Sequence, residues 1–109
     1  MGVQKDVIQL VRESVEKKIL FLPHAIRQMS RTDRMISTSE VRHVIDNGEL
    51  IEDYPEDVRG HSSLILGYGE DNRPIHIICS PKEDYLAIIT AYLPDSEQWE
   101  DNFRKRKKK

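Results

Sequence analysis

The run Ser37-Thr38-Ser39-Glu40-Val41-Arg42-His43-Val44-Ile45-Asp46-Asn47-Gly48-Glu49-Leu50-Ile51-Glu52-Asp53-Tyr54-Pro55 changes its period at Gly48. Ser37 to Glu40 is a capping box: a serine whose hydroxyl accepts from the third helical amide, and a glutamate that reaches back to the serine amide. Ile36 and Val41 flank it as a hydrophobic staple. Val41, Val44 and Ile45 then supply a buried helical face. Gly48 tolerates the left-handed conformation that ends helices. Beyond it, Glu49 to Tyr54 reads as a strand, closed by Pro55.

Toward the C-terminus the strand pattern continues. Glu56 to His61 is a polar loop, and Ser62 to Tyr68 is a second strand. Gly69-Glu70-Asp71-Asn72 is a hairpin turn. Arg73 to Ser80 is the third strand, Pro81 to Asp84 a turn, and Tyr85 to Leu93 the fourth and most apolar strand. Pro94-Asp95-Ser96 stops it and caps a last helical turn through Phe103, with Trp99 and Phe103 one turn apart.

Toward the N-terminus the pattern is helical. Val3, Val7, Val11, Val15 and Ile19 recur every fourth residue, with Ile8 beside them, which is one face of an amphipathic helix ending near Lys17 or Lys18. Ile19 to Leu22 is a continuous apolar run. Pro23 suits the first position of a second helix, with Ala25, Ile26 and Met29 inward and an end around Thr32 to Arg34. Helices run together and strands run together, so the expected fold is α+β: N-terminal helices packed on a four-stranded antiparallel sheet, with a short C-terminal helix.

A chain of 109 residues is one domain's worth, large enough to bury a core without staples. The expected organisation is a single domain over 1–103 and a basic tail over 104–109. Six of the 17 Lys and Arg lie in that tail, leaving 11 against 19 acidic residues, so the body carries −8. Such a block is ordinarily a solvated end. The lone cysteine, Cys79, sits in an apolar run and reads as a small buried hydrophobe. No apolar stretch reaches about 18 residues, and the N-terminus lacks the form of a signal peptide. The expected location is cytoplasmic.

Walker A, dinucleotide-binding and zinc-ligand spacings are missing from the sequence. His24, His43, His61 and His76 follow no ligand pattern, so no metal and no cofactor is expected. Two constellations carry chemistry. His24, Arg27, Gln28 and Arg31 form one polar stripe on the second helix, a ridge suited to phosphate or simply a solvated face. On the last two strands, a turn pairing Ser80 with Tyr85 sets Arg73 opposite Tyr92 and Ile75 opposite Thr90 on one side of the sheet. His76 then faces Ile89 on the other side. A bulge near Pro74 would move His76 across.

The ordered series His24-Ala25, Arg27, Met29, Arg31, Ile36-Ser37, Glu40-Val41, Gly48-Glu49, Tyr54-Pro55, Asp57, Arg73-Pro74, His76, Thr90-Ala91-Tyr92, Pro94-Asp95 and Trp99 resembles the bacterial domain-of-unknown-function 4258 family, over about residues 19–100. That family resembles the BrnT and RelE/ParE toxins. The resemblance implies a RelE/BrnT-like fold, an antitoxin protein as partner, and metal-independent cleavage of mRNA. In that reading the ribose 2′-hydroxyl attacks the adjacent phosphate. His24 or His76 is the base and Tyr92 the acid or orienting hydroxyl. Arg73 stabilises phosphate charge, and Arg27, Arg31 and Thr90 contact RNA. The acidic body departs from the basic character of such toxins, so any RNA site is a local basic patch. The alternative is a non-catalytic protein-binding module of the same fold.

Overall fold

A computed structural model describes residues 7–108. The chain runs α1 (Val7–Lys17), β1 (Ile19–Phe21), α2 (Pro23–Met29), α3 (Thr38–Asn47), β2 (Glu49–Tyr54), β3 (Ser62–Tyr68), β4 (Pro74–Pro81), β5 (Leu86–Tyr92), β6 (Trp99–Glu100) and β7 (Lys105–Arg106). Five strands form one sheet in the order β1-β5-β4-β3-β2, and β6 pairs with β7 as a separate ribbon.

This corrects the expected four-stranded antiparallel sheet. Ile19–Phe21 is a fifth strand, parallel to β5 in the register Ile19↔Leu86 to Phe21↔Ile88, so the sheet is mixed. The apolar run before Pro23, which lies beyond the helix that ends at Lys17 as expected, is therefore a strand over Ile19–Phe21. The Leu86 amide donates to the Lys18 carbonyl and the Leu22 amide to the Ile88 carbonyl, which extends the pairing at both ends. The expected C-terminal helix is also absent: Trp99 and Glu100 pair with Arg106 and Lys105. The turn between them places Asp101, Asn102 and Phe103 at φ 54, 53 and 68, left-handed backbone that no α-helix contains. Arg104 to Arg106 of the basic tail thus belong to this hairpin.

The helical expectations fare better. Val7, Val11 and Val15 are buried along α1; Val3 lies outside the described residues. α2 is shorter than expected, ending at Met29 with Ser30 as its cap. At α3 both halves of the capping box form, with the Glu40 amide donating to Ser37 Oγ and the Ser37 amide to Glu40 Oε1, each at 3.0 Å.

All three helices cover one face of the sheet. Val11, Val15, Ala25, Met29, Val41, Val44 and Ile45 from the helices meet Ile65, Ile75, Ile77, Cys79, Leu86, Ile88 and Ala91 from the strands in one core. α3 lies so close over β3 that a Cβ on Gly67 would come 2.7 Å from Val44 Cγ1. Burial pushes the Cys79 thiol up to about 12, so it is a packing residue with no thiolate at neutral pH.

Glu40 ties helix to sheet. Beyond its capping bond, Oε2 accepts from the Glu70 amide at 2.8 Å and from Arg73 Nε at 3.1 Å, while Oε1 accepts from Arg73 Nη2 at 2.8 Å. The side chain is 4% exposed. Desolvation opposes its charge, but the Arg73 guanidinium and the two amides outweigh that and hold the carboxyl at about 2. Removing one partner of such a pair leaves an uncompensated charge. Glu40→Ala is expected to lower unfolding free energy by about 3 kcal/mol, measured by urea denaturation at neutral pH. Because the folded pKa is depressed, this contribution is present above about 4.5 and is lost as pH falls toward 2.

Candidate functional site

Two bulges decide what the other face of the sheet presents. Between β4 and β5 the register runs Pro81↔Leu86, Ser80↔Ala87 and Cys79↔Ile88, then skips Ile89 to continue as Ile78↔Thr90, Ile77↔Ala91 and His76↔Tyr92. The extra residue moves Thr90 and Tyr92 onto the face of His76 and Ile78. Between β2 and β3 the register skips Ile51, so Glu49↔Leu66 and Glu52↔Leu64 share that face with Tyr54↔Ser62. The turn also pairs Pro81 with Leu86 and Ser80 with Ala87, not Ser80 with Tyr85, so the expected pairing of Arg73 with Tyr92 and Ile75 with Thr90 is replaced. The bulge lies at Ile89, not near Pro74, and the histidine, not the arginine, meets the tyrosine.

His76 is fully buried. Its Nδ1 lies 3.1 Å from the Tyr92 hydroxyl and its Nε2 lies 2.9 Å from the Phe103 carbonyl oxygen. A carbonyl only accepts, so Nε2 carries the proton and Nδ1 accepts from Tyr92. The ring meets the Trp99 ring edge-on, with centroids 4.4 Å apart. The Arg106 guanidinium lies 4.8 Å over Trp99 and donates from Nε to Glu52 Oε2 at 3.0 Å and from Nη2 to Oε1 at 3.1 Å. Tyr54 donates its hydroxyl to the same carboxylate. Arg104 makes the parallel bond to Glu49 Oε1 at 2.9 Å.

Burial dominates the electrostatics here. It lowers the His76 pKa from 6.5 to about 4, against the raising pull of the Phe103 carbonyl and Glu52. The imidazole is thus neutral at pH 7, with a lone pair on the tyrosine side. Burial also pushes the half-buried Tyr92 up to about 12, so its hydroxyl keeps its proton. For Glu52, bonds from Arg106 and Tyr54 outweigh desolvation, and the carboxyl titrates below its ordinary value. Arg34 lies within electrostatic reach of Tyr92. A groove beside the cluster is lined by Glu97, Gln98, Trp99, Arg106, Lys107 and Lys108.

The expected site residues divide into three groups. His76, Tyr92 and Thr90 share one sheet face. Arg73 sits apart from them, bound to Glu40 and donating to the Arg34 carbonyl at 2.6 Å and the Met35 carbonyl at 2.9 Å. His24 and Arg27 are exposed on α2, and Arg31, just beyond it, pairs with Asp33 at 3.2 Å. Sequence reasoning missed Glu52, Tyr54, Trp99, Arg106 and the Phe103 carbonyl. One signal was present: Glu49 and Glu52 sit three apart in a short strand, out of step with simple alternation. Among the described residues, no three His, Cys, Asp or Glu side chains converge as metal ligands. None of the described helices is long and apolar enough to cross a membrane.

The family described as "Domain of unknown function (DUF4258)" matches residues 21–93, from β1 through the end of β5, and the chain belongs to this family. Neither a curated protein nor a solved structure matches it.

The pH dependence of stability follows from His76. Its folded pKa is depressed, so the unfolded chain binds the extra proton between about 6.5 and about 4. Stability is fully present above that window and falls as pH drops through it, by about 3 kcal/mol in the limit. Denaturant midpoints from pH 7 to 4 should show this fall in the wild type. In His76→Gln the component is expected to vanish, leaving the lower-pH loss due to Glu40.

Proposed function

We propose that this chain is a toxin-type endoribonuclease domain, related to the BrnT and RelE/ParE toxins, that cleaves RNA without a metal and pairs with an antitoxin protein. The carrying observation is the contact between the Tyr92 hydroxyl and His76 Nδ1 at 3.1 Å. A neutral imidazole behind a half-buried tyrosine is a two-step proton acceptor. The ribose 2′-hydroxyl gives its proton to the Tyr92 oxygen as Tyr92 passes its own to His76. The 2′-oxygen–phosphorus bond forms, the bond to the 5′-oxygen breaks, and the proton returns along the same path to that leaving oxygen. The products are a cyclic phosphate and a free 5′-hydroxyl.

Cationic stabilisation of the phosphorane falls to Arg34, whose charge acts on Tyr92 as the smallest of its electrostatic influences, with Thr90 beside Tyr92 on the sheet face. Arg27 and Arg31, on the helix side, contact RNA phosphates away from the scissile one. Arg73 takes a positioning role: its bonds to the Arg34 and Met35 carbonyls fix the segment that bears Arg34. His76 is favoured over His24 as the base because it alone of the two has a hydroxyl partner.

A second reading, a non-catalytic protein-binding module, is favoured by one specific fact. Both His76 nitrogens are engaged and the ring has no exposed surface, so in this conformation RNA does not reach it.

The deciding experiment incubates purified protein with a long mRNA in EDTA, with and without ribosomes. Fragments ending in cyclic phosphate are expected from the wild type. Tyr92→Phe and His76→Gln are expected to slow cleavage by about 10²–10⁴-fold, and His24→Ala to leave it near wild type. Well-folded wild type that yields no fragments in either condition establishes the binding module instead.

A further inference from the structure

The C-terminal hairpin lies over the His76 face without joining its sheet. β6 and β7, each two residues long, pair their backbones with each other as a ribbon separate from the five-stranded sheet. The ribbon is held down by the burial of Trp99 on a face that also carries the buried Leu64 and Leu66, and by a short set of polar contacts. Trp99 stacks edge-on against His76, the Phe103 carbonyl accepts from His76, and Arg104 and Arg106 pair with Glu49 and Glu52. Arg104 and Glu49 are 36% and 50% exposed, a pair of the weak, salt-screened kind, whereas Arg106, 61% exposed, grips the 23% exposed Glu52 through two nitrogens and is the firmer of the two. The turn carrying Phe103 holds three successive non-glycine residues at positive φ, a conformation that costs free energy at each. The receiving side, by contrast, is built into the sheet. The Ile51 bulge aims Glu49 and Glu52 to one side, and β2 ends the sheet order, leaving its outer edge unpaired by any other described strand.

We propose that the His76 face is a docking site for a basic, aromatic-bearing peptide segment, filled in cis by the Trp99–Arg106 hairpin and exchangeable for a partner segment of the same chemistry. The site asks for an aromatic ring against His76 and two cations spaced to meet Glu49 and Glu52. An acidic or wholly apolar segment meets the two carboxylates unfavourably. The hairpin's tether gives it an effective concentration on the order of millimolar, so a free peptide competes poorly until the cis contacts are weakened. The proposal rests on the ribonuclease reading only for its consequence, that RNA meets Tyr92 and His76 in the fraction of molecules whose hairpin has lifted, so the wild type cleaves but more slowly than a variant with a weakened hairpin. Binding is measured without cleavage, so the two readings fail separately.

Trp99 is the only tryptophan and is 5% exposed, so its emission reports the hairpin directly. In full-length Arg104→Glu/Arg106→Glu, Trp99 emission should shift to the red and its quenching by acrylamide should rise. Far-UV circular dichroism should stay that of the wild type. A fluorescein-labelled peptide of residues 95–108 should bind this variant at least tenfold more tightly than it binds the wild type, by anisotropy. The swap Glu49→Arg/Glu52→Arg added to the variant should restore the wild-type emission. In the wild type, raising salt to about 1 M, where the screening length is about 3 Å, should increase Trp99 quenching with the fold intact. Unchanged emission and no preferential peptide binding would overturn the proposal. So would global unfolding of the variant, because exchange requires the sheet to stand without its hairpin.

Discussion

Four donors converge on the Glu40 carboxylate: the amides of Ser37 and Glu70 and two nitrogens of Arg73. They come from the start of α3, the turn between β3 and β4, and the residue before β4, so one side chain fixes the helix layer against the hairpin on which the sheet is built. Gly69 leaves no room for a side chain there, since a Cβ would collide with the same carboxylate. Arg73 extends the tie by gripping the carbonyls of Arg34 and Met35, and Met35, at φ 48, needs such bracing. With α3 anchored, Val44 seats on Gly67 and the apolar core closes.

Once the helix side is fixed, the content of the opposite face follows from two single-residue insertions. Strand side chains alternate with a strict period of two, so one extra residue transfers everything beyond it to the other face. The bulge at Ile89 keeps Leu86 and Ile88 in the core while turning Thr90 and Tyr92 toward His76. The bulge at Ile51 brings Glu49, Glu52 and Tyr54 into one row. Without them, Tyr92 would share the helix face with Ala91's neighbours and the carboxylates would split across the sheet.

These insertions also explain what the sequence concealed. Helix α3 was legible because its capping box is local, four residues whose partners lie within the same turn. The strands β2 to β5 were legible from turn residues and apolar runs. β1 was not: Ile19 to Leu22 is too short to show a period, and its strand identity comes from Leu86 to Ile88, distant in sequence. Two shifts together make His76, and not Arg73, the partner of Tyr92: the turn pairs Pro81 with Leu86, two positions off the register expected from Ser80 with Tyr85, and the bulge, which nothing in Ile88-Ile89-Thr90 marks, adds the third. Of the expected site residues, His76, Tyr92 and Thr90 come together on one face, through a register other than the expected one. The arginine was visible as a functional-looking cation on a strand, while its carboxylate partner was visible only as a cap. The C-terminal hairpin was hidden because Trp99 and Phe103 suit a helical turn as well as a ribbon; Asp101 and Asn102, which accept left-handed backbone more readily than most residues, decide for the ribbon.

The two faces of the sheet are sealed by different physics, and that difference bears on what the protein can do. On the helix side the seam is apolar and continuous, and opening it exposes hydrocarbon at every step. On the other side, a histidine stands where an apolar residue would pack as well. His76 earns its place by having one donor and one acceptor, which join the hairpin's Phe103 carbonyl to the sheet's Tyr92 hydroxyl. A polar seam of this kind is specific, since each group needs its matching partner when buried. Its polar part is less costly to open than hydrocarbon, because water satisfies the same groups once it enters, while Leu64, Leu66 and Trp99, buried there as well, supply its apolar part. The surface ion pairs beside it share that property. A layer held by such contacts can leave as a unit while the core beneath stays closed, which makes the His76 face, and not the helix face, the side of this domain suited to exchange.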